Sequence, residues 1–171
     1  MEIVISMKSN QTIIGVDPGK QGYITVMRKS GIVHYPMPKV GKELDPHELS
    51  ELIVRISEEC DAENTMVVIE DVHALHNSAA SATWNFGFVC GMLRMAFIMC
   101  GLPIVLVSPK KWQKEMYEGI KVSPDKKVMS VLAAKRLFPQ QDLRRTRACK
   151  KPDDNLTDSL LIAEYGRRHY L

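Results

Sequence analysis

Several features that would set this 171-residue chain apart from ordinary soluble proteins are missing. Its four cysteines, Cys60, Cys90, Cys100 and Cys149, include no CxxC pair, so neither a zinc site nor a dithiol redox centre is expected. The opening Met-Glu-Ile-Val-Ile-Ser has no basic start and no small-residue cleavage site. No secretory leader is therefore expected, the thiols should be reduced, and the cytoplasm of a bacterium or an infected cell is the expected location. The longest apolar stretch, about Phe86 to Met99, is broken by Gly91 and Arg94. It reads as too short and mixed to span a bilayer, so no membrane partner is expected. Repeats, low-complexity tracts and Gly/Ser linkers are also lacking. The chain reads as one domain over residues 1–171, with 1–11 as a loosely ordered extension ahead of the first strand.

Charge is present and unevenly spread. Between Lys110 and Lys151 there are 13 Lys/Arg against 4 Asp/Glu, whereas the remainder holds 10 against 16. A basic region of this kind suits a polyanion, and leaves the acids elsewhere for another purpose. Solvated helix faces would give the same count.

Thr12–Val16 is a β-branched run closed by Asp17-Pro18-Gly19, a strand and a turn. Gln21–Arg28 and Ile32–Tyr35, split by Lys29-Ser30-Gly31, extend this to a three-stranded antiparallel meander. Asp45-Pro46 opens a helix to about Asp61 with Leu49, Leu52, Ile53 and Ile56 on one face. Met66–Ile69 and Ile104–Val107 are unbroken apolar runs, the pattern of strands buried on both faces. Between them a long helix covers about Trp84–Cys100 and stops at Gly101-Leu102-Pro103. Ser108-Pro109 opens a short helix carrying Trp112, and Lys126–Phe138 and about Asp154–Arg168 are the last two helices. The pattern predicts an α/β mixed sheet with helices on both faces. Trp84 and Trp112 read as packing residues.

The acids fall at the strand ends. Asp17 and Glu70 each close an apolar strand, where open α/β sheets collect their ligands. Asp154 and Asp158 lie four apart and share a helix face. Clustered carboxylates repel unless cations neutralise them, and a set without His or Cys favours Mg²⁺ or Mn²⁺. Taken singly, Asp17 also suits a turn, Asp154 a helix cap and Glu70 a strand-end charge.

Gly15-Val16-Asp17-Pro18-Gly19-Lys20-Gln21-Gly22 resembles the first-strand motif of RuvC-family Holliday-junction resolvases, and Val68-Ile69-Glu70-Asp71-Val72-His73-Ala74 resembles their glutamate motif. Phe86-Gly87, Ser108-Pro109 with Trp112, Asp125-Lys126, Leu137-Phe138-Pro139 and Asp158–Gly166 follow in family order, and the similarity runs from about Ile13 to Arg168. The resemblance implies a ribonuclease H-like five-stranded sheet of three antiparallel strands followed by parallel ones. It also implies a homodimer, two divalent ions per active site (Mg²⁺, with Mn²⁺ able to substitute), and symmetric nicks in branched four-way DNA. On this reading Asp17, Glu70, Asp154 and Asp158 hold metal, and Lys126 sits beside the scissile phosphate. Lys110, Lys111, Lys126, Lys127, Arg144, Arg145, Arg147, Lys150 and Lys151 contact DNA. His73 stands where bacterial members typically carry a Phe that intrudes at the crossover, and it joins the DNA-binding set. In bacterial members the last-helix acids are three apart rather than four, which leaves Asp153 and Asn155 as alternatives to Asp154. A ribonuclease H-like nuclease for hybrids or flaps, and an actin-like ATP-binding domain, are the competing readings. A branch-migration helicase partner is left open.

Overall fold

A computed structural model describes residues 7–8, 10–71, 80–121 and 123–171. The meander forms as β1 (Thr12–Val16), β2 (Tyr23–Arg28) and β3 (Gly31–Pro36). A small hairpin that the sequence did not signal, β4 (Lys39–Val40) and β5 (Glu43–Leu44), follows it. Next come α1 (Pro46–Glu58), β6 (Thr65–Glu70), α2 (Ala80–Met99), β7 (Ile104–Val107), α3 (Pro109–Met116), α4 (Lys126–Leu137) and α5 (Asp154–Tyr170). The main sheet has the order β3-β2-β1-β6-β7. Strand β1 pairs antiparallel with β2 and parallel with β6, and β6 pairs parallel with β7.

Strand alternation divides the interior into two layers. On one face Ile13, Met27 and Val68 join Trp112, Ala133, Leu160 and Ala163 of α3, α4 and α5. On the other Ile14, Val16, Val67 and Ile69 join Leu49, Ile53, Leu93 and Phe97 of α1 and α2. Residues 13, 15 and 17 share one parity and 68 and 70 another. Asp17 and Glu70 therefore continue the face covered by α5 and α3.

The start of α1 follows its sequence signal. Asp45 caps α1 through the amides of His47 and Glu48, and Asp125 caps α4 through Lys127. Ser108 occupies the cap position of α3 but makes no side-chain cap bond.

Four expectations need correction. Met7, placed in the loose extension, is buried in the layer with Ile13 and Tyr23. Strand β7 is the sheet edge rather than a strand covered on both faces: of its residues only Val107 is buried, and Leu106 is exposed. Trp84 is 74% exposed, so it does not pack in the core. Helix α2 runs 20 residues and is, by length and composition, long and apolar enough to cross a membrane. Its Val89, Leu93 and Phe97 stripe is nevertheless packed against the sheet.

A candidate metal centre at the strand ends

Parallel pairing sets Val16 beside Ile69, so Asp17 and Glu70 emerge from adjacent strand ends on the same face. The Asp17 amide bonds to Tyr23 O at 3.0 Å and the Gly22 amide to Gly19 O at 2.8 Å, closing the turn tightly. A Cβ at Gly22 would lie 2.0 Å from Asp17 O, so no side chain fits there. Helix α5 supplies the third side. A Cβ at Gly15 would lie 2.4 Å from both Ala163 N and Ser159 O, so the bare glycine lets α5 approach β1 directly. That approach carries Asp158 toward Asp17. It is fixed by Thr25 Oγ1, which lies 2.6 Å from Ser159 Oγ and 2.9 Å from His34 Nδ1.

Each acid has a protein partner. Trp112 Nε1 donates to Glu70 Oε1 at 2.8 Å, Ser130 donates to Asp158, and Gly19 N donates to Asp17 Oδ1 at 3.3 Å. Lys127 Nζ pairs with Asp154 Oδ2 at 2.7 Å. The residues that hold the acids escaped the sequence reading in part. Trp112 does more than pack, Lys127 pairs with an acid of the cluster, and nothing in the sequence pattern points to Ser130. The Ser108-Pro109 start of α3 was the available signal for Trp112, because it fixes where that helix begins beside Glu70.

Electrostatics mark the cluster. Burial, then the charges of Asp158 and Glu70, pushes the Asp17 carboxyl up from 3.8 to about 8. Burial, with Glu70 and Asp154, pushes Asp158 up to about 7 against the bond from Ser130. Burial raises Glu70 as well, opposed by Trp112 and by the charge of Lys126. Carboxylates crowded in this way cannot all ionise without a compensating cation.

Among the described residues, no group of three His, Cys, Asp or Glu side chains stands close enough together to hold a metal ion as placed. The fit to an ion rests instead on the donor set. Asp17, Glu70, Asp154 and Asp158 offer partly buried carboxylate oxygens, each bonded to a donor that a dication can outcompete. Such a set suits a hard divalent ion.

Asp153 lies apart from this group. It caps α5, accepting from the amides of Asn155 (3.0 Å) and Leu156 (3.4 Å), and also receives the Tyr23 hydroxyl at 3.3 Å. Asn155 Nδ2 turns to Asp153 as well. Lys110 and Lys111 are exposed on the first turn of α3, directly before Trp112. Arg144 is bound to Asp142 at 2.7 and 2.8 Å, which ties it inside its own loop. Arg145 reaches Gln21 at 3.3 Å. Arg147, Lys150 and Lys151 are exposed. His73 falls within 72–79, outside the described residues.

No known protein-family profile matches the chain, and no curated protein is similar to it in sequence. Solved structures do match in shape. Thermus thermophilus RuvC in complex with a Holliday-junction substrate gives a TM-score of 0.64 at 14% identity, covering 94% of this chain and 96% of that one. Thermus thermophilus RuvC, in a second structure, gives 0.53 at 17% identity over 92% and 96%. The yeast mitochondrial Holliday junction resolvase Ydc2 gives 0.51 at 12% identity over 98% and 85%. In sheet order, strand direction and helix placement, the chain has the ribonuclease H-like fold of RuvC.

Proposed function

We propose that the protein is a divalent-metal-dependent endonuclease that resolves four-way DNA junctions by paired nicks. The observation that carries this reading is the convergence of Asp17, Glu70 and Asp158, with Asp154 one turn before Asp158, at the ends of two parallel strands. Burial, together with the charges of the neighbouring acids, raises Asp17 to about 8 and Asp158 to about 7. The shared fold with a RuvC bound to its junction supports branched DNA as the substrate.

Asp17, Glu70, Asp154 and Asp158 would hold the ions, Mg²⁺ with Mn²⁺ as a substitute. Bound divalent ions supply the charge that makes a water nucleophilic and stabilises the leaving oxygen. The chain's own groups position those acids. Trp112 keeps Glu70 oriented, Ser130 orients Asp158, and Lys127 balances Asp154 until metal binds. Lys126 adds positive charge near Glu70, where a scissile phosphate would lie. Lys110 and Lys111 extend the positive surface from that side, and the exposed Arg147, Lys150 and Lys151 extend it along the loop before α5.

A homodimer completes the reading, because two matched nicks need two sites at a fixed separation. The α2 face away from the sheet supplies a surface. Trp84 (74%), Phe88 (58%) and Met95 (57%) are exposed and line a groove floored by Gly87 and Gly91. An apolar patch of this kind marks an interaction site.

Incubating labelled four-way junction, flap and RNA–DNA hybrid with Mg²⁺ tests the substrate. Nicking confined to the junction is the expected outcome, and preferential cutting of the hybrid would contradict it.

A further inference from the structure

The turn that carries Asp17 has a second set of contacts unrelated to the acids. Lys20 makes an ion pair with Glu43, tying the β4–β5 hairpin to the turn. One residue on, Gln21 Oε1 accepts from Lys39 Nζ of the same hairpin. It also accepts from Arg145 Nη1, 124 residues away, at 3.3 Å. Arg145 is held in place from both sides. Arg144 bridges to Pro152 and is clamped by Asp142, while the Asp153 amide bonds to Leu143 O at 2.8 Å.

Two cations from distant segments thus meet on one neutral oxygen. Among the described residues neither forms a salt bridge. Asp153 is the acid that acts on Lys39 through space, but its oxygens are taken by two helix amides and the Tyr23 hydroxyl. Gathering like charges around an amide costs Coulomb energy that a carboxylate at Gln21 would have removed. In keeping with this, partial burial and the Arg145 charge hold the Lys39 ammonium below its ordinary range. The arrangement is fixed by the turn, the hairpin and the loop together, and it sets two cations against the single charge of Asp153, leaving the site net positive.

We propose that Lys39, Arg145 and Gln21 form a phosphate cradle for the DNA backbone, holding a phosphodiester other than the one that is cut. It rests on the reading of the protein as a DNA-binding nuclease and adds a site to it. The cradle lies on the rim of the turn that bears Asp17. A duplex arm anchored there is fixed in register with the acids, since phosphate contacts set position rather than sequence. Gln21 serves to hold the two cations at a spacing that one phosphate can bridge.

Binding of a fluorescent four-way junction in EDTA, titrated over a range of NaCl concentrations, tests the cradle. Lys39→Ala and Arg145→Ala should each lower the slope of log affinity against log salt by about one, and the double variant by about two. Gln21→Glu removes no cation and gives both an internal partner. It should weaken junction binding and lower the slope while leaving the melting temperature equal or higher. A purely structural role for Gln21 would leave binding intact in that variant. Lys42→Ala, in the turn of the same hairpin, should keep the wild-type slope. A steep wild-type slope that Lys39→Ala and Gln21→Glu leave unchanged overturns the cradle alone. A flat wild-type slope overturns the DNA-binding reading and the cradle with it. Loss of inorganic-phosphate binding with an unchanged junction slope would assign the cations to a free anion and also overturn the proposal.

Discussion

At the scale of single residues, the acids report on themselves through protons. Asp17 and Asp158 hold protons more tightly in the folded chain than in the unfolded one, with folded values of about 8 and about 7 against 3.8. Between those values the folded state carries more protons, so the stability of the metal-free protein falls as pH rises through the window. Thermal melts in EDTA should show that decline, and Mg²⁺ should reverse it most strongly at the alkaline end. Asp17→Asn removes the penalty. Its melting temperature in EDTA should exceed that of wild type near pH 8, and junction binding should be kept. Cutting should drop about a thousandfold or more, as several kcal/mol of transition-state stabilisation is lost. A variant that melts lower than wild type in EDTA and still cuts would contradict the assignment. Trp112 admits a subtler test. Trp112→Phe removes the donor to a buried carboxylate, which costs about 1–3 kcal/mol. Because that bond opposes the upward shift of Glu70, a Mg²⁺ titration of cleavage should move to higher concentration.

At the scale of elements, the decisive contact is α5 against β1. Gly15→Ala would drive a methyl into Ala163 N and Ser159 O. Displacing the helix should cost about 3 kcal/mol, the upper end for overpacking, and denaturant melts would measure it. The start of α5 separates the two neighbouring acids. Asp153→Asn weakens a cap and should lower stability by about 0.5–2 kcal/mol while sparing cleavage at permissive temperature. Asp154→Asn should do the reverse. Much of this was legible in the sequence. Asp45-Pro46 and apolar periodicity placed α1, the bounds read for α4 and α5 fall within a few residues of those observed, and Ile104–Val107 matches β7 end for end. Asp17 and Glu70 could be assigned to strand ends because β-branched runs stop there. What stayed hidden depends on tertiary contact. The β4–β5 hairpin has two-residue strands that carry no alternation to detect. The burial of β7 turns on its being an edge, and pairing order is not written in the composition of one strand. Trp84 and Trp112 look alike as letters, yet one is exposed and the other is fully buried against Glu70.

At the scale of the whole molecule, three surfaces stand together: an acidic centre at the strand ends, positive groups on both sides of it, and an apolar α2 face. The last predicts assembly. Sedimentation at micromolar concentration should show a two-fold dimer, and Phe88→Glu should shift it toward monomer without lowering the melting temperature of the monomer. A wild-type monomer, even with junction present, would count against the pairing of nicks. The central claim is that these surfaces act together on one branched substrate. It is tested most directly by a single denaturing gel of a four-way junction, each strand labelled in turn, with Mg²⁺ or EDTA. Symmetric nicks on two opposed strands are expected in Mg²⁺, none in EDTA, and none with Asp17→Asn. Nicks that persist in EDTA, or an intact junction in Mg²⁺ under conditions where the protein binds it, would contradict the account.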